Sequence, residues 1–562
     1  MYSIAFFERV REKLCIYQLI KLNGKFSLKK PLTYTLRHYG PRSVSMKRLV
    51  CILLIVTILL NGIFLGQKTH AQIPSNVTIT SNMEWTIAES PIIFNGTVMV
   101  NSNVTLTIDP GVTVNLETYG LTIYGTLTAQ GNVNNQITFT SAAINETEQT
   151  GSQIIQVLPS DPIYFGQEST SWNAATNSGS IIQNAVLNGV SVNLDGSSPE
   201  IDSCVFNYAT PFEPTLSIGA GSPQISNNII NYNIQNYGYS ANILSVYDGT
   251  PLITNNQFEG SFSGTTNTGI EVNLGAPTIT GNTFAAQYCN NSDAIRVTSG
   301  TPQISNNQFE GNGYLTGIYD SSNSAFTIFN NMFTNCFTGI SAQAPSNLIV
   351  QGNTFSKGTD GIDIFTGASL AITDNLIDSN SRYGINGGGT IGSNTITNNQ
   401  IGIHNPSTGI ISNNNIVGNT ENSITATTAN IDAQNNWWGI ADTATINRTI
   451  YDTKIDPHLG TVLFVPFLTQ PNLSAPAIPS GTPTITPVPK TQAQTPQPTA
   501  EPIFTPTSTP DQYSQTFAYQ VGDIINLNLI TTATAVVLVV AWVIVILGYA
   551  TKSVISKNKA RK

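Results

Sequence analysis

The sequence predicts an all-β fold, a single-stranded right-handed parallel β-helix solenoid with one coil per repeat. Three observations carry this. A phrase of the form apolar–x–x–Asn–x–apolar recurs along the chain, as in "TPLITNNQFEG" from Thr250 and "TPQISNNQFEG" from Thr301. A second phrase, close to GI-x-V, recurs between successive copies of the first. Charged residues make up only 10% of the chain, against about 25% in an average soluble domain. Gly, Ser, Thr, Asn and β-branched residues take their place, a composition that favours strands and turns over helices.

The Asn phrase sets the repeat. Asn184, Cys204, Asn228, Asn256, Asn282, Asn307, Asn331, Asn353, Asn375, Asn394 and Asn414 fall in one column, and Asn435 joins it with one residue inserted. Successive members are 19 to 28 residues apart, a period that means a solenoid, propeller or array. A propeller blade needs about 40–50 residues, and the long apolar periods of helical repeats are absent. The second phrase reads "NGVSV", "TGIEV", "DAIRV", "TGIYD", "TGISA", "DGIDI", "YGING" and "IGIHN". Its alternation has the period of a strand with one buried face. Each repeat therefore holds two or three short strands, and the coils stack about 4.8 Å apart. Right-handed connections dominate parallel sheets.

The column residue then has two tasks. Asn tolerates the left-handed conformation that a sharp turn needs. Pointing inward, its amide both donates and accepts, so stacked Asn residues form a ladder along the axis. Ile304 and Phe309 fill the core on either side of Asn307. Cys204 in the same column reads as a small buried thiol. Cys289 and Cys336 lie two coils apart, about 9.6 Å, beyond disulfide reach.

The ends are also legible. Residues 72–150 form N-terminal coils and cap, with "VTLTIDPGVTVNLETYGLTIYGTLTAQG" alternating without the Asn phrase. Residues 151–468 carry the repeats and close on Trp437 and Trp438, large apolar plates suited to covering the last coil, whose open strand edges would otherwise template aggregation. Met46 begins a signal-peptide layout over 46–71, basic Lys47 and Arg48 followed by an apolar run and small residues before Gln72; an uncleaved first membrane helix is the alternative. Residues 1–45 then form an uncertain extension, a sign that Met46 is the true start. Residues 469–520 form a Thr/Pro-rich stalk, with eleven prolines between 471 and 510, extended and semi-rigid. Residues 527–550 form a transmembrane helix: Leu529 to Ala550 span about 33 Å, enough to cross a bilayer. A buried core helix would not need the basic tail at 551–562, which favours the cytoplasmic side. The expected location is thus the cell membrane, single-pass, with the β-helix outside and the C-terminus cytoplasmic. The sequons at Asn76, Asn95, Asn103, Asn145, Asn290, Asn447 and Asn472 fit an exported, glycosylated surface.

These residues resemble a known group. Over residues 80–468 the GI-x-V strand, the Asn turn, the "TIDPGVTV…GTLTAQG…ITFTS" start and the "NNWWG…IYD…PFL" end are similar to right-handed parallel β-helix proteins of the pectin-lyase-like superfamily. They resemble especially the nitrous-oxide-reductase copper-maturation type of β-helix. With the stalk and C-terminal span, the chain is similar to archaeal membrane-anchored cell-surface proteins. The resemblance implies the fold; the superfamily holds lyases, hydrolases, epimerases and adhesins, so it does not select an activity.

In the enzymes of that superfamily, sites lie in a groove beside one sheet, and here the GI-x-V strands present an outward column: Ser191, Glu271, Arg296, Tyr319, Ser341, Asp363, Asn386, His404 and Thr425. A hydrolase needs paired carboxylates; a calcium-dependent lyase needs several carboxylates and a base. Asp363 stands alone in this column with Asp360 nearby, and His404 lies two coils away, about 9.6 Å. Glu271 and Arg296 on adjacent coils read as a surface ion pair. Tyr232, Tyr237, Tyr239 and Tyr247, in the longest excursion, are candidates for stacking on sugar faces or for packing on their own coil. After the signal only His404 and His458 remain as histidines, too few soft donors for copper; no cofactor is expected, and calcium would have only scattered Asp and Asn ligands. Residues 72–472 hold 5 Lys/Arg and 27 Asp/Glu, a net of −22, which excludes nucleic acid as a partner. The expected function is structural, adhesive or glycan- or protein-recognising at the cell envelope. The alternative is a polysaccharide lyase or glycoside hydrolase working from Asp363.

Overall fold

A computed structural model describes residues 71–141, 163–207, 214–234, 241–262, 267–289, 292–343, 346–365, 369–406 and 409–482. Residues 1–70 and 483–562 lie outside the described residues, and with them the expected signal segment, most of the expected stalk and the expected span at 527–550. Among the described residues no helix is long and apolar enough to cross a membrane.

The chain winds as a parallel β-helix. Each coil contributes one strand to each of three sheets, of 15, 16 and 14 strands. The first sheet opens with Ala71–Ile73, the second with Val77–Ile79 and the third with Met83–Trp85. Every pairing between their strands is parallel, for example Gln303 with Thr327 and Ile304 with Ile328. Alternation decides which side chains enter the core. In the third sheet Ile201, Ile225, Ile253, Ile279, Ile304 and Ile328 stack in register and are fully buried. In the first sheet the rings of Phe258, Phe284, Phe309, Phe333 and Phe355 stack nearly parallel, with centroids 4.6 to 5.1 Å apart. That spacing is the coil repeat itself, about 4.8 Å.

The turn from the third sheet to the first holds the amide ladder. Asn228 Nδ2 donates to Asn256 Oδ1 at 2.9 Å, Asn256 to Asn282 at 3.0 Å and Asn282 to Asn307 at 3.0 Å. The run continues through Asn331, Asn353, Asn375, Asn394 and Asn414 to Asn436. Each Oδ1 also accepts the backbone N–H of the preceding coil, and each Nδ2 reaches back to a strand carbonyl, as Asn307 does to Ile279 O at 3.0 Å. Donors and acceptors of a buried amide are thereby all used. Cys204 heads the column: its N–H donates to Asn228 Oδ1 at 2.9 Å, and its thiol donates to Ile182 O at 3.4 Å where an amide would. Burial pushes that thiol up to about 12, so it stays protonated.

Two expected rungs are displaced by one residue. Asn184 and Asn435 have φ of 48° and 59° and belong to the column immediately before the ladder. The inward places fall to Ala185 and Asn436. The two tasks given to one asparagine are divided between neighbours. Residues in the preceding column, among them Ser203, Asn227, Asn255, Asn306, Asn330, Asp374 and Asn413, take the left-handed turn with φ near 55–60°. The ladder residue follows. Because Asn often fills both places, "NN" pairs blur which is which. A second, shorter ladder at the turn from the first sheet to the second was not foreseen: Asn380 donates to Asn399 at 2.9 Å and Asn399 to Asn419 at 3.1 Å.

The C-terminal end is covered. Trp438 is buried and meets Phe464 edge-on at 6.2 Å. Trp437 instead continues the first sheet, bridging to Asn415, and is only half-buried. A six-residue helix, Thr443–Arg448, capped by Asp442, follows. The first residues of the stretch expected as a stalk lie against the solenoid. Asn472 N–H donates to Asn415 Oδ1 at 2.8 Å, Asn415 Nδ2 returns to Asn472 O at 3.1 Å, Thr395 Oγ1 bonds Pro476 O, and Asn398 Nδ2 reaches Thr482 Oγ1 at 3.3 Å. Residues 472–482 thus lie on the outer face of the first sheet, where Thr395 and Asn415 are buried beneath them. Prolines lack N–H groups, but the Asn and Thr side chains of the sheet supply the bonds.

Candidate functional site

The GI-x-V strands form the second sheet, and its outward column runs Tyr164, Asn193, Ser217, Ser245, Glu271, Arg296, Tyr319, Ser341, Asp363, Asn386, His404, Thr425 and Tyr451 in unbroken register. Asn193 holds the place expected for Ser191, because "NGVSVNL" pairs two residues further on. The other members stand as expected. The Gly before the Ile, replaced by Ala at 294, sits at close quarters. A Cβ on Gly339 would lie 2.5 Å from the Phe355 ring and 2.6 Å from Gly361 O.

The residue before that Gly forms a second line, Thr268, Asp293, Thr316, Thr338, Asp360 and Tyr383. It joins residues that the outward column alone leaves apart. Asp360, fully buried, accepts both Arg382 Nε at 2.9 Å and Arg382 Nη2, together with the Tyr383 N–H at 3.2 Å. Asn386 Nδ2 donates to Asp363 Oδ1 at 2.7 Å. The Tyr383 ring lies flat against His404, centroids 4.3 Å apart, while Arg382 sits over Tyr383 at 4.8 Å. Asp360 and His404 are therefore linked through Arg382 and Tyr383 of the coil between them, and Asp363 is bonded to Asn386 of that same coil. Burial raises the Asp363 carboxyl, with Asp360 adding to the rise against the Asn386 bond. Burial lowers His404, and Arg382 lowers it further, so the imidazole is neutral at pH 7.

Glu271 and Arg296 do not pair. Arg296 Nη2 lies 2.5 Å from Asp293 Oδ2 on its own strand and stacks over Tyr319 at 5.0 Å. Glu271 instead accepts from Asn242 and Asn273. The bend at Ala294 places residues 293 and 296 on one side, so the carboxylate three residues back captures the guanidinium. Burial raises Asp293 to about 6 despite Arg296.

Of the four candidate tyrosines, two fall among the described residues. Tyr232 is buried, with Gly260 opposite it on the next coil. Tyr247 is exposed at the end of a second-sheet strand, and Tyr237 and Tyr239 lie outside the described residues. The excursion between Tyr232 and Tyr247 runs from one sheet to another, so the two described rings belong to different faces. Arg382 and Tyr383 were missed as site residues because they precede the GI phrase; aligning "SRYGIN" with "GTDGID" by strand offset would have found them. Among the described residues, no three His, Cys, Asp or Glu side chains converge to hold a metal.

Residues 241–401 match the family model described as "Right handed beta helix region", and the solenoid is a right-handed parallel β-helix. No curated protein matches the chain. Among solved structures, the chain is similar to a double mutant of the periplasmic alginate epimerase AlgG, with 12% identity, TM-score 0.26, 71% of this chain and 86% of that chain covered. It is also similar to a mannuronic acid specific polysaccharide family 6 lyase from human gut microbiota, with 11% identity, TM-score 0.24, and coverage of 70% and 87%. At these values the likeness carries no argument about activity.

Proposed function

We propose that the protein is a membrane-anchored extracellular β-helix whose second sheet, from Glu271 to His404, recognises a glycan at the cell envelope. The single observation behind this is the strip itself. Tyr319 and the stacked Tyr383–His404 pair present half-buried rings, while Glu271, Asp363 and Asn386 present half-buried polar groups in the outward column. Rings stacking on sugar faces beside a few polar groups are how such ligands are held. The anchoring half of the reading rests on the apolar stretch at 527–550 and its basic flank.

A second reading, a polysaccharide lyase or glycoside hydrolase, is favoured by the convergence of Asp360, Asp363, Arg382, Tyr383 and His404. A carboxyl whose pKa burial raises and an imidazole whose pKa burial lowers are shifts in the direction that acid–base chemistry uses. One experiment separates the two. Full-length protein in detergent is offered acidic and neutral polysaccharides with calcium present. Recognition predicts binding without turnover, weakened about tenfold in Tyr319→Ala, on the scale of one lost stacking contact. Turnover that Asp363→Ala abolishes would establish the enzyme, and failure to bind any glycan would end the recognition reading.

A further inference from the structure

The two ends of the solenoid differ. The C-terminal end carries Trp438, the 443–448 helix and the strand at 462–463. At the other end Ala71–Ile73, Val77–Ile79 and Met83–Trp85 are each the last strand of their sheet, paired on one side only among the described residues. Where a sheet ends in an unpaired strand, that edge templates the addition of another chain.

Three of the five described sequons sit at this end. Asn76 and Asn95 occupy the turn from the first sheet to the second on the first and second coils, and Asn103 occupies the next turn of the second coil. All three are exposed. Asn76 Oδ1 accepts the Thr97 N–H at 3.3 Å, and the Nδ2 atoms of all three carry no hydrogen bond. Asn472 is the opposite case: its Nδ2 donates to Asn413 O, and its backbone is tied on both sides to Asn415. Asn447 is half-buried in the cap helix.

We propose that Asn76, Asn95 and Asn103 carry N-linked oligosaccharides, and that these form a collar which keeps the open first coil from pairing with a second copy of the chain. The proposal rests on the extracellular reading above, in which cleavage of the signal before Gln72 makes this coil the first of the exported chain. In the transfer, Nδ2 attacks the anomeric carbon of a lipid-phosphate-linked oligosaccharide. The carbon–oxygen bond to phosphate breaks, the lipid phosphate leaves, and one Nδ2 proton passes to a base of the transferase. The free Nδ2 groups accept this bond without loss of a native contact, whereas Asn472 would lose one. Bulky, hydrated chains on two successive turns stand beside the edge strands and exclude an approaching edge.

The test uses the full chain from its native membranes. Intact cells are treated with external protease to establish that the β-helix is outside, and purified protein is then read by glycopeptide mass spectrometry. The expected result is oligosaccharide on Asn76, Asn95 and Asn103 and a bare Asn472. Bare asparagines at all three sites in a protease-accessible protein overturn the proposal while leaving the surface reading intact; a protein that protease cannot reach fails the surface reading, and the collar with it. In the second arm the sequons are removed by Thr78→Ala, Thr97→Ala and Thr105→Ala, which spares the left-handed turns at Asn76 and Asn103. Enzymatic removal of the glycans provides a match without mutation. Both preparations should sediment as multimers that grow with concentration. Sedimentation identical to the glycosylated protein would refute the collar.

Discussion

At the scale of single residues, the inward amides do the most. Asn307 Oδ1 takes both the backbone N–H and the Nδ2 of Asn282, and Asn307 Nδ2 supplies Ile279 O and Asn331. Asn307→Leu fits the volume but orphans these partners, at about 1–3 kcal/mol each. A lowered denaturation midpoint with an unchanged denaturant slope is expected in chemical unfolding. Asp293 gives a pH signature. Its folded carboxyl titrates near about 6, above its unfolded value, so its contribution is full below about 4 and is lost as pH rises through 6. Stability measured from pH 4 to 7 should fall across that window in the native protein, and Asp293→Asn should flatten this part of the curve.

At the scale of elements, each coil is three short strands whose bends depend on what is absent. The line Gly269, Ala294, Gly317, Gly339, Gly361, Gly384 and Gly402 holds only the smallest residues: at each glycine the next coil's carbonyl closes on it, together with a phenylalanine ring at Gly269, Gly317 and Gly339 and a ladder asparagine at Gly361, Gly384 and Gly402. Gly339→Ala should cost about 1–3 kcal/mol, the range for overpacking a tight core, measured as a shift in thermal midpoint. Periodicity made the repeat, the outward column and the Cys204 rung readable, since each follows from counting along a regular strand. It did not separate the ladder from the left-handed residue before it, because Asn serves both and the distinction is one of backbone angle. Nor did it reveal the Asp360–Arg382 and Tyr383–His404 contacts. Those depend on side chains leaning between coils at a bend, where strand alternation no longer predicts direction. The same bend gave Arg296 to Asp293 and not to Glu271.

At the scale of the whole molecule, the solenoid is a chain of near-identical contacts between neighbouring coils, and its stability is nearly a sum over them. The amide ladder runs unbroken from Asn228 to Asn436, the phenylalanine stack spans five coils, and residues 472–482 tie the last coils from outside. Such an array holds the second-sheet strip at fixed spacing, which is what the proposed recognition requires. The most direct measurement is side-chain amide hydrogen exchange in protein labelled with nitrogen-15 at asparagine. The inward Nδ2 protons from Asn228 to Asn436 should exchange only when the whole solenoid opens, far more slowly than those of exposed Asn76 and Asn95. Ladder amides exchanging as fast as the exposed ones would contradict the coiled, amide-pinned architecture and every site placed upon it.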